Sequence, residues 1–287
     1  MLTRPHVQRY AAESGLRDLM IAEKEVVLTF LLQLLSERGI LNRLAFKGGT
    51  CLRKMFVGSQ GRFSTDLDFT GLEEHDHEDV ILEMMDAFEQ PFHGIQFSIP
   101  DEGYYETQDG LSWGVNPAYV HEWNAAGSEI KLQISRRETP TLPPEQRAQL
   151  EQSYFQHLPF APADIVRLAL AEIIAEKIRA CYQRNKARDI YDLGMFATRP
   201  LEQPLIRRLV VLKLWQPRPS EGTGSIRSSR CDRRVTAPID HLRVLRRYAK
   251  GTPASGHQLD HRGYAEPNAF GDDGRDRRVA ACVECRS

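Results

Sequence analysis

The sequence predicts an α/β chain of the α+β kind, in which a mixed sheet with covering helices is followed by a helical C-terminal lobe. Segments such as DLDFT and EIKLQIS alternate apolar and polar residues with the period of two that a half-buried strand requires. Longer segments, residues 16–38 and 168–182, space their apolar residues three and four apart, the period of an amphipathic helix. Between them the Pro-containing stretches TPTLPPEQ and HLPFAPAD interrupt both patterns and read as a hinge. These breaks divide the chain into residues 1–155, a helical lobe over 156–215, and an irregular basic tail over 216–287.

Taken in order, the first long helix buries a stripe of Val26, Val27, Phe30, Leu31, Leu34 and Leu35, with Ser14 as its N-cap. After Gly39, LNRLAFKGGT reads as a short strand running into a double-glycine turn, and CLRKMF continues as helix up to the loop GSQGRFS. DLDFT is the next strand, EDVILEMMDAFEQ a helix, and GIQFSI and SEIKLQIS two further strands. In the last of these, Ile130, Leu132 and Ile134 face one side while Lys131, Gln133 and Ser135 face the other. Asp164 is expected to cap a second long helix whose buried stripe is Leu168, Ala171, Ala175, Ile178 and Tyr182. Lys177, Cys181 and Arg184 fall on another face of that helix, with Arg188 just beyond.

Composition closes off several classes. The chain has 287 residues and a formal net charge of −1, with 41% hydrophobic residues, enough for a folded core. The longest apolar run, Val26 to Leu35, is interrupted by Thr29 and Gln33 and falls far short of the roughly 20 residues a membrane span needs. No apolar segment follows the N-terminal charges, so a secretory signal is not expected and a cytoplasmic address is. Five scattered cysteines fit a reducing compartment, and Cys282 with Cys285 lacks a second pair at zinc spacing. The charge is uneven: residues 216–287 carry 13 Arg and 1 Lys against nine acids, leaving the tail at +5 and the body at −6.

Two features of the body carry chemistry. Gly48-Gly49-Thr50, between a strand and a helix, can bring backbone N–H groups and a hydroxyl against a phosphate, although glycines also serve tight turns for steric reasons alone. Asp66 and Asp68 lie on one strand face while Leu67 and Phe69 anchor the other, so two like charges stand side by side. A cation resolves that repulsion, and Mg²⁺ takes one or two carboxylates plus substrate phosphates. Ser64 adds a hydroxyl beside the pair.

The segments FKGGTCLRKMF and RFSTDLDF, followed more than a hundred residues later by EKIRACYQRNKARDIYDL, resemble the AbiEii family of toxin nucleotidyltransferases, which includes the mycobacterial MenT toxins. The resemblance covers roughly residues 10 to 215 and rests on three motifs in the same order. It implies a polymerase β-like nucleotidyltransferase fold and an Mg²⁺-dependent enzyme that uses an NTP. Such proteins are the toxic halves of type IV or AbiE-like toxin–antitoxin pairs, so a cognate antitoxin is the implied protein partner. By resemblance, Gly48, Gly49 and Thr50 hold the nucleotide phosphates, and Ser64, Asp66 and Asp68 form the metal and nucleotide site. Lys177 contacts the triphosphate, and Asp189 completes the polar constellation. Lys131 and Arg188 are further candidates for phosphate contact, as cations suited to the charge that builds on a leaving pyrophosphate. The alternative for Lys177 and Arg184 is a solvated face paired with Glu172 and Glu176.

Two departures from the superfamily pattern are visible. A third carboxylate is expected on the later strand, where this chain has Gln133, so a single Mg²⁺ on the aspartate pair replaces a two-metal arrangement. Helical periodicity also stops after Trp215; Arg-, Gly- and Ser-rich text of that kind fits either a shifted reading frame or a basic RNA-binding arm. The implied reaction transfers a nucleoside monophosphate from an NTP to an acceptor, with the 3′ end of tRNA first among them. Nucleotidylation of a protein or small molecule, or a non-enzymatic GTP- or metal-binding switch, are the competing readings.

Overall fold

A computed structural model describes residues 3–72, 77–107, 110–184, 186–215 and 235–236. Helix α1 (Arg4–Glu13) ends at Ser14, which is its C-terminal cap. The cap of α2 (Leu19–Glu37) is instead Asp18, whose carboxylate accepts the Met20 N–H at 2.9 Å, so the expected role of Ser14 is corrected. The expectation of a single buried stripe on α2 is corrected as well. All of Val26 to Leu35 is buried, which makes α2 a core helix enclosed on every side.

Strand β1 (Leu44–Lys47) leads into the short helix α3 (Gly48–Leu52), a π-helical turn at Arg53–Val57 and a 3₁₀ turn at Gly58–Gln60. After β2 (Asp66–Gly71) and α4 (His77–Ala87) come β3 (Ile95–Ser98), β4 (Tyr104–Glu106), β5 (Ser112–Val115), β6 (Ala118–His121), β7 (Asn124–Glu129) and β8 (Lys131–Ser135). Strands β9 (Glu145–Arg147) and β10 (Ile165–Arg167) precede the helices α5 (Leu170–Gln183), α6 (Ala187–Gly194) and α7 (Gln203–Trp215). The fold class is as predicted, a mixed sheet with helices: the main sheet runs from the two-residue strand β11 (Val235–Thr236) through β4, β5, β8, β2, β1 and β10 to β9, and β3, β6 and β7 form a second sheet.

β2 occupies the middle of the main sheet. It is antiparallel to β1, with Lys47 opposite Asp68, and parallel to β8, with Asp66 opposite Lys131 and Asp68 opposite Gln133. Leu67 and Phe69 are fully buried, as alternation required, and Phe69 packs on Phe46 with ring centroids 5.2 Å apart. Each such side chain contributes about 1.5–3 kcal/mol by leaving water, which anchors the strand whose other face carries charge.

The second half is not wholly helical. β10 inserts between β1 and β9, pairing parallel to β1 with Arg167 opposite Phe46, so the segment after the proline stretch belongs to the same sheet. Asp164 therefore precedes a strand and caps nothing; α5 starts after Ala169. A run as short as Ile165–Leu168 satisfies both periodicities, and length alone could not separate them. Tyr182, expected in the buried stripe, is 75% exposed, while Ile173, Ile174 and Ala175 are buried. The tail readings, including the candidate helix HLRVLRRYAK and the Cys282–Cys285 pair, lie outside the described residues except for β11.

Candidate active site

Where β1 ends, Gly48 turns the chain with φ +81°, and a Cβ there would collide with Asp68 Oδ2 and stand 2.9 Å from the Asp68 Cβ. Gly48 thus meets the aspartate of the neighbouring strand backbone-to-carboxylate, a closer approach than any other residue permits. At Gly49 a Cβ would lie 2.6 Å from Arg62 Nη2 and 3.1 Å from Ser64 Oγ. The doublet is therefore a floor against which the acidic pair, Ser64 and Arg62 are gathered. Thr50 is fully buried, and its hydroxyl donates to the Asp66 carbonyl oxygen, tying α3 to β2.

Above this floor opens a cavity of about 260 Å³. Of the residues singled out from sequence, Gly48, Gly49, Ser64, Asp66, Asp68, Lys131, Lys177 and Arg188 line it. Gln133 lines it too, at the position where a third carboxylate was expected. Thr50 and Asp189 do not. Asp189 is fully buried behind the wall, where Lys177 Nζ donates to it at 3.1 Å and Arg184 Nε and Nη2 at 2.9 and 3.2 Å. Burial would raise its pKa, but the hydrogen bonds from Arg184 and the Lys177 ammonium outweigh that and hold the carboxyl below its ordinary range.

The expected ion-pair partners of Lys177 are corrected by the same geometry. Its ammonium contacts Asp189 and, at 2.8 Å, Asp192. Glu172 accepts the Thr141 and Leu142 N–H groups, both at 2.9 Å, and pairs with Lys213 at 2.8 Å. Glu176 pairs with Lys47 at 3.3 Å and Lys213 at 3.6 Å, and these cations hold its carboxyl low despite burial.

Four basic residues not singled out from the sequence also line the cavity: Lys47, Arg62, Arg137 and Arg179. Lys47 immediately precedes the glycine doublet and Arg62 lies two residues before Ser64, so adjacency to the motifs was the available signal. Together with Lys131, Lys177, Arg184 and Arg188 they set eight cations against Asp66, Asp68 and Glu176. A body of net charge −6 thereby concentrates positive charge around one cleft, the field that draws in a polyanion.

Asp68 is the exception in that field. Its carboxyl is pushed up by burial and then by Asp66, in spite of Lys47, Lys131 and Lys177. Among the described residues no group of three or more His, Cys, Asp or Glu side chains is placed to cage a metal. The donors fit a hard cation that completes its shell from a phosphate-bearing substrate, the habit of Mg²⁺, and they do not fit a cage-bound metal. Among the described residues no helix is long and apolar enough to cross a membrane.

A comparison with curated protein sequences returns no match. Among solved structures, the nucleotidyltransferase toxin MenT4 from Mycobacterium tuberculosis H37Rv is 34% identical over 75% of this chain and 71% of that one, with a TM-score of 0.63. JHP933 from Helicobacter pylori is 21% identical over 63% of this chain and 67% of its own, with a TM-score of 0.42. The family model "Nucleotidyl transferase AbiEii toxin, Type IV TA system" matches residues 29–254, a span that passes Trp215. With most of its length inside that match, the chain belongs to the AbiEii family of nucleotidyltransferase toxins.

Proposed function

We propose that this chain transfers a nucleoside monophosphate from an NTP to the 3′ end of tRNA, using one Mg²⁺ held by Asp66 and Asp68. The observation that carries this reading is the cleft itself, in which eight basic side chains surround a carboxylate pair, and the half-buried Asp68 keeps a raised pKa that the neighbouring lysines only partly offset. In the reaction an acceptor hydroxyl oxygen forms a bond to the α-phosphorus as the bond to the β-phosphate oxygen breaks. Pyrophosphate leaves and the hydroxyl proton is released. Bound Mg²⁺ would supply Lewis-acid stabilisation of phosphate charge.

The chain's own residues divide the remaining work. Gly48 and Gly49 offer backbone at close range, Ser64 a hydroxyl, and Lys131, Lys177 and Arg188 stabilise charge on the departing pyrophosphate. Thr50 and Asp189 act indirectly, by holding the Asp66 strand and the Lys177 ammonium. The basic rim offers a local site for RNA on a body that is otherwise acidic, and the setting is the cytoplasm, with a cognate antitoxin as partner.

The test is incubation of the purified chain with each labelled NTP, Mg²⁺ and total tRNA. Label on tRNA with one preferred NTP supports the reading. Label on protein alone would move the acceptor to a side chain, and no Mg²⁺-dependent NTP consumption would overturn the enzyme assignment.

A further inference from the structure

We infer that Asp192 is a positioning residue that sets the spacing of Arg62 and Lys177 across the cavity for a nucleotide's phosphates, an inference that rests on the NTP-dependent reading above. Asp192 lies on α6, is nearly fully buried and does not line the main cavity. Its Oδ1 accepts from Arg62 Nε at 2.7 Å and its Oδ2 from Arg62 Nη2 at 2.8 Å, while the same Oδ2 meets Lys177 Nζ at 2.8 Å. Arg62 reaches it from the loop before β2, 130 positions earlier in the chain, and Lys177 from α5. One carboxylate therefore joins two cations that approach the cleft from separate elements.

Donor accounting shows why this joint serves the cavity as well as the fold. Lys177 has three N–H donors and its two carboxylates account for two. Arg62 has five; Nε and Nη2 grip Asp192 and Nη1 reaches the Phe63 carbonyl at 3.3 Å. Both side chains keep donors in hand and both line the cleft. The fork fixes the guanidinium plane, which a single-point contact cannot do. Gly49 leaves room for this guanidinium, since a Cβ there would stand 2.6 Å from Nη2. Asp189 and Asp192 answer three cations, Lys177, Arg62 and Arg184, so positive charge remains for an incoming anion.

The experiment measures equilibrium binding of Mg²⁺–NTP by calorimetry and steady-state transfer, for wild type, Asp192→Asn, Arg62→Lys and the double variant. Asp192→Asn is nearly isosteric yet loses the charge that holds both cations, and is expected to weaken NTP binding and raise KM for NTP by about tenfold or more, with a smaller fall in kcat. Arg62→Lys keeps the charge but loses the fork, and shifts KM in the same direction by less. Because the two residues act through one another, the double variant falls near the worse single variant and short of the product of the two effects. A lower melting temperature with unchanged NTP affinity and KM in Asp192→Asn would reduce Asp192 to a structural role. Should Asp192→Asn not fold, unchanged NTP affinity in folded Arg62→Lys overturns the inference by itself. A wild-type chain that binds no NTP at all would instead overturn the enzymatic reading, and this inference with it.

Discussion

Gly48 and Asp68 meet with no room for a side chain between them: the backbone at 48 has φ +81°, and an added Cβ would run into the Asp68 carboxylate. Asp68 lies opposite Lys47 on the adjoining strand, so the glycine that follows β1 shapes the wall of the site that β2 provides. Gly48→Ala is expected to lose transfer activity and to destabilise the chain by at least the roughly 1–2 kcal/mol of a left-handed non-glycine backbone. Gly49→Ala meets only side-chain ends, the Arg62 guanidinium and the Ser64 hydroxyl, at an ordinary backbone conformation, so it should raise KM for NTP at a smaller stability cost. Thermal melting alongside kinetics checks the contrast; equal stability losses at the two positions would contradict it.

Asp68 provides a pH test. Burial and Asp66 raise its folded-state pKa, so between the ordinary carboxylate value of about 3.9 and the raised value the native state binds more protons than the unfolded one. Stability of the metal-free chain should therefore fall as pH rises through that window, and Asp68→Asn should remove this fall. Mg²⁺ competes with the proton, so its stabilising effect should grow with pH in wild type and vanish in Asp68→Asn. Melting curves with and without Mg²⁺ at several pH values measure both. Asp66→Asn likewise should fold, because it relieves repulsion, yet lose most transfer.

Lys177 is tied to stability more closely than a solvated helix face would be. Lys177→Ala leaves Asp189 with Arg184 and Asp192 with Arg62, so the loss should be about 1–3 kcal/mol, less than for orphaning a buried carboxylate. NTP affinity should fall far more steeply, and Lys177→Arg should recover only part of it, since a planar fork replaces a compact ammonium. Denaturant melts and nucleotide titration separate the two effects.

Asp189 has a depressed folded-state pKa, which reverses the pH sign found for Asp68. The stability it contributes is present above the ordinary aspartate pKa of about 3.9 and is lost as pH falls through the lower folded-state value. Asp189→Asn should flatten the acid limb of the stability profile, and an unchanged acid limb would show that other carboxylates dominate it.

Lys213, in the last turn of α7, is buried against Glu138 at 3.3 Å, Glu172 at 2.8 Å and Glu176 at 3.6 Å. Lys213→Met should cost about 3 kcal/mol by leaving buried carboxylates short of a cation, or roughly 10 °C in Tm. Because Glu176 also pairs with Lys47 at the cavity wall, NTP affinity should fall with it. A variant as stable as wild type would show that these ion pairs add nothing net to stability.

What the sequence by itself determined is local. Alternation placed Asp66 and Asp68 on one face of β2 and Leu67 and Phe69 in the core, the glycine doublet marked the turn, and the motif order identified the family. Those features are written in spacings of two to four residues, which backbone geometry alone converts into a face or a turn. Tertiary structure decided the rest: that Thr50 points inward, that Asp189 holds Lys177 from behind the wall, that β10 joins the main sheet, and that Lys47, Arg62, Arg137 and Arg179 surround the cleft. An ion pair between residues 62 and 192 has no period to read, because burial and partner choice are set by which distant segments the sheet order brings together. The same carboxylate chemistry thus gives a raised pKa at Asp68 and a lowered one at Asp189, since burial and then like charge prevail at the first and two hydrogen-bonded cations at the second.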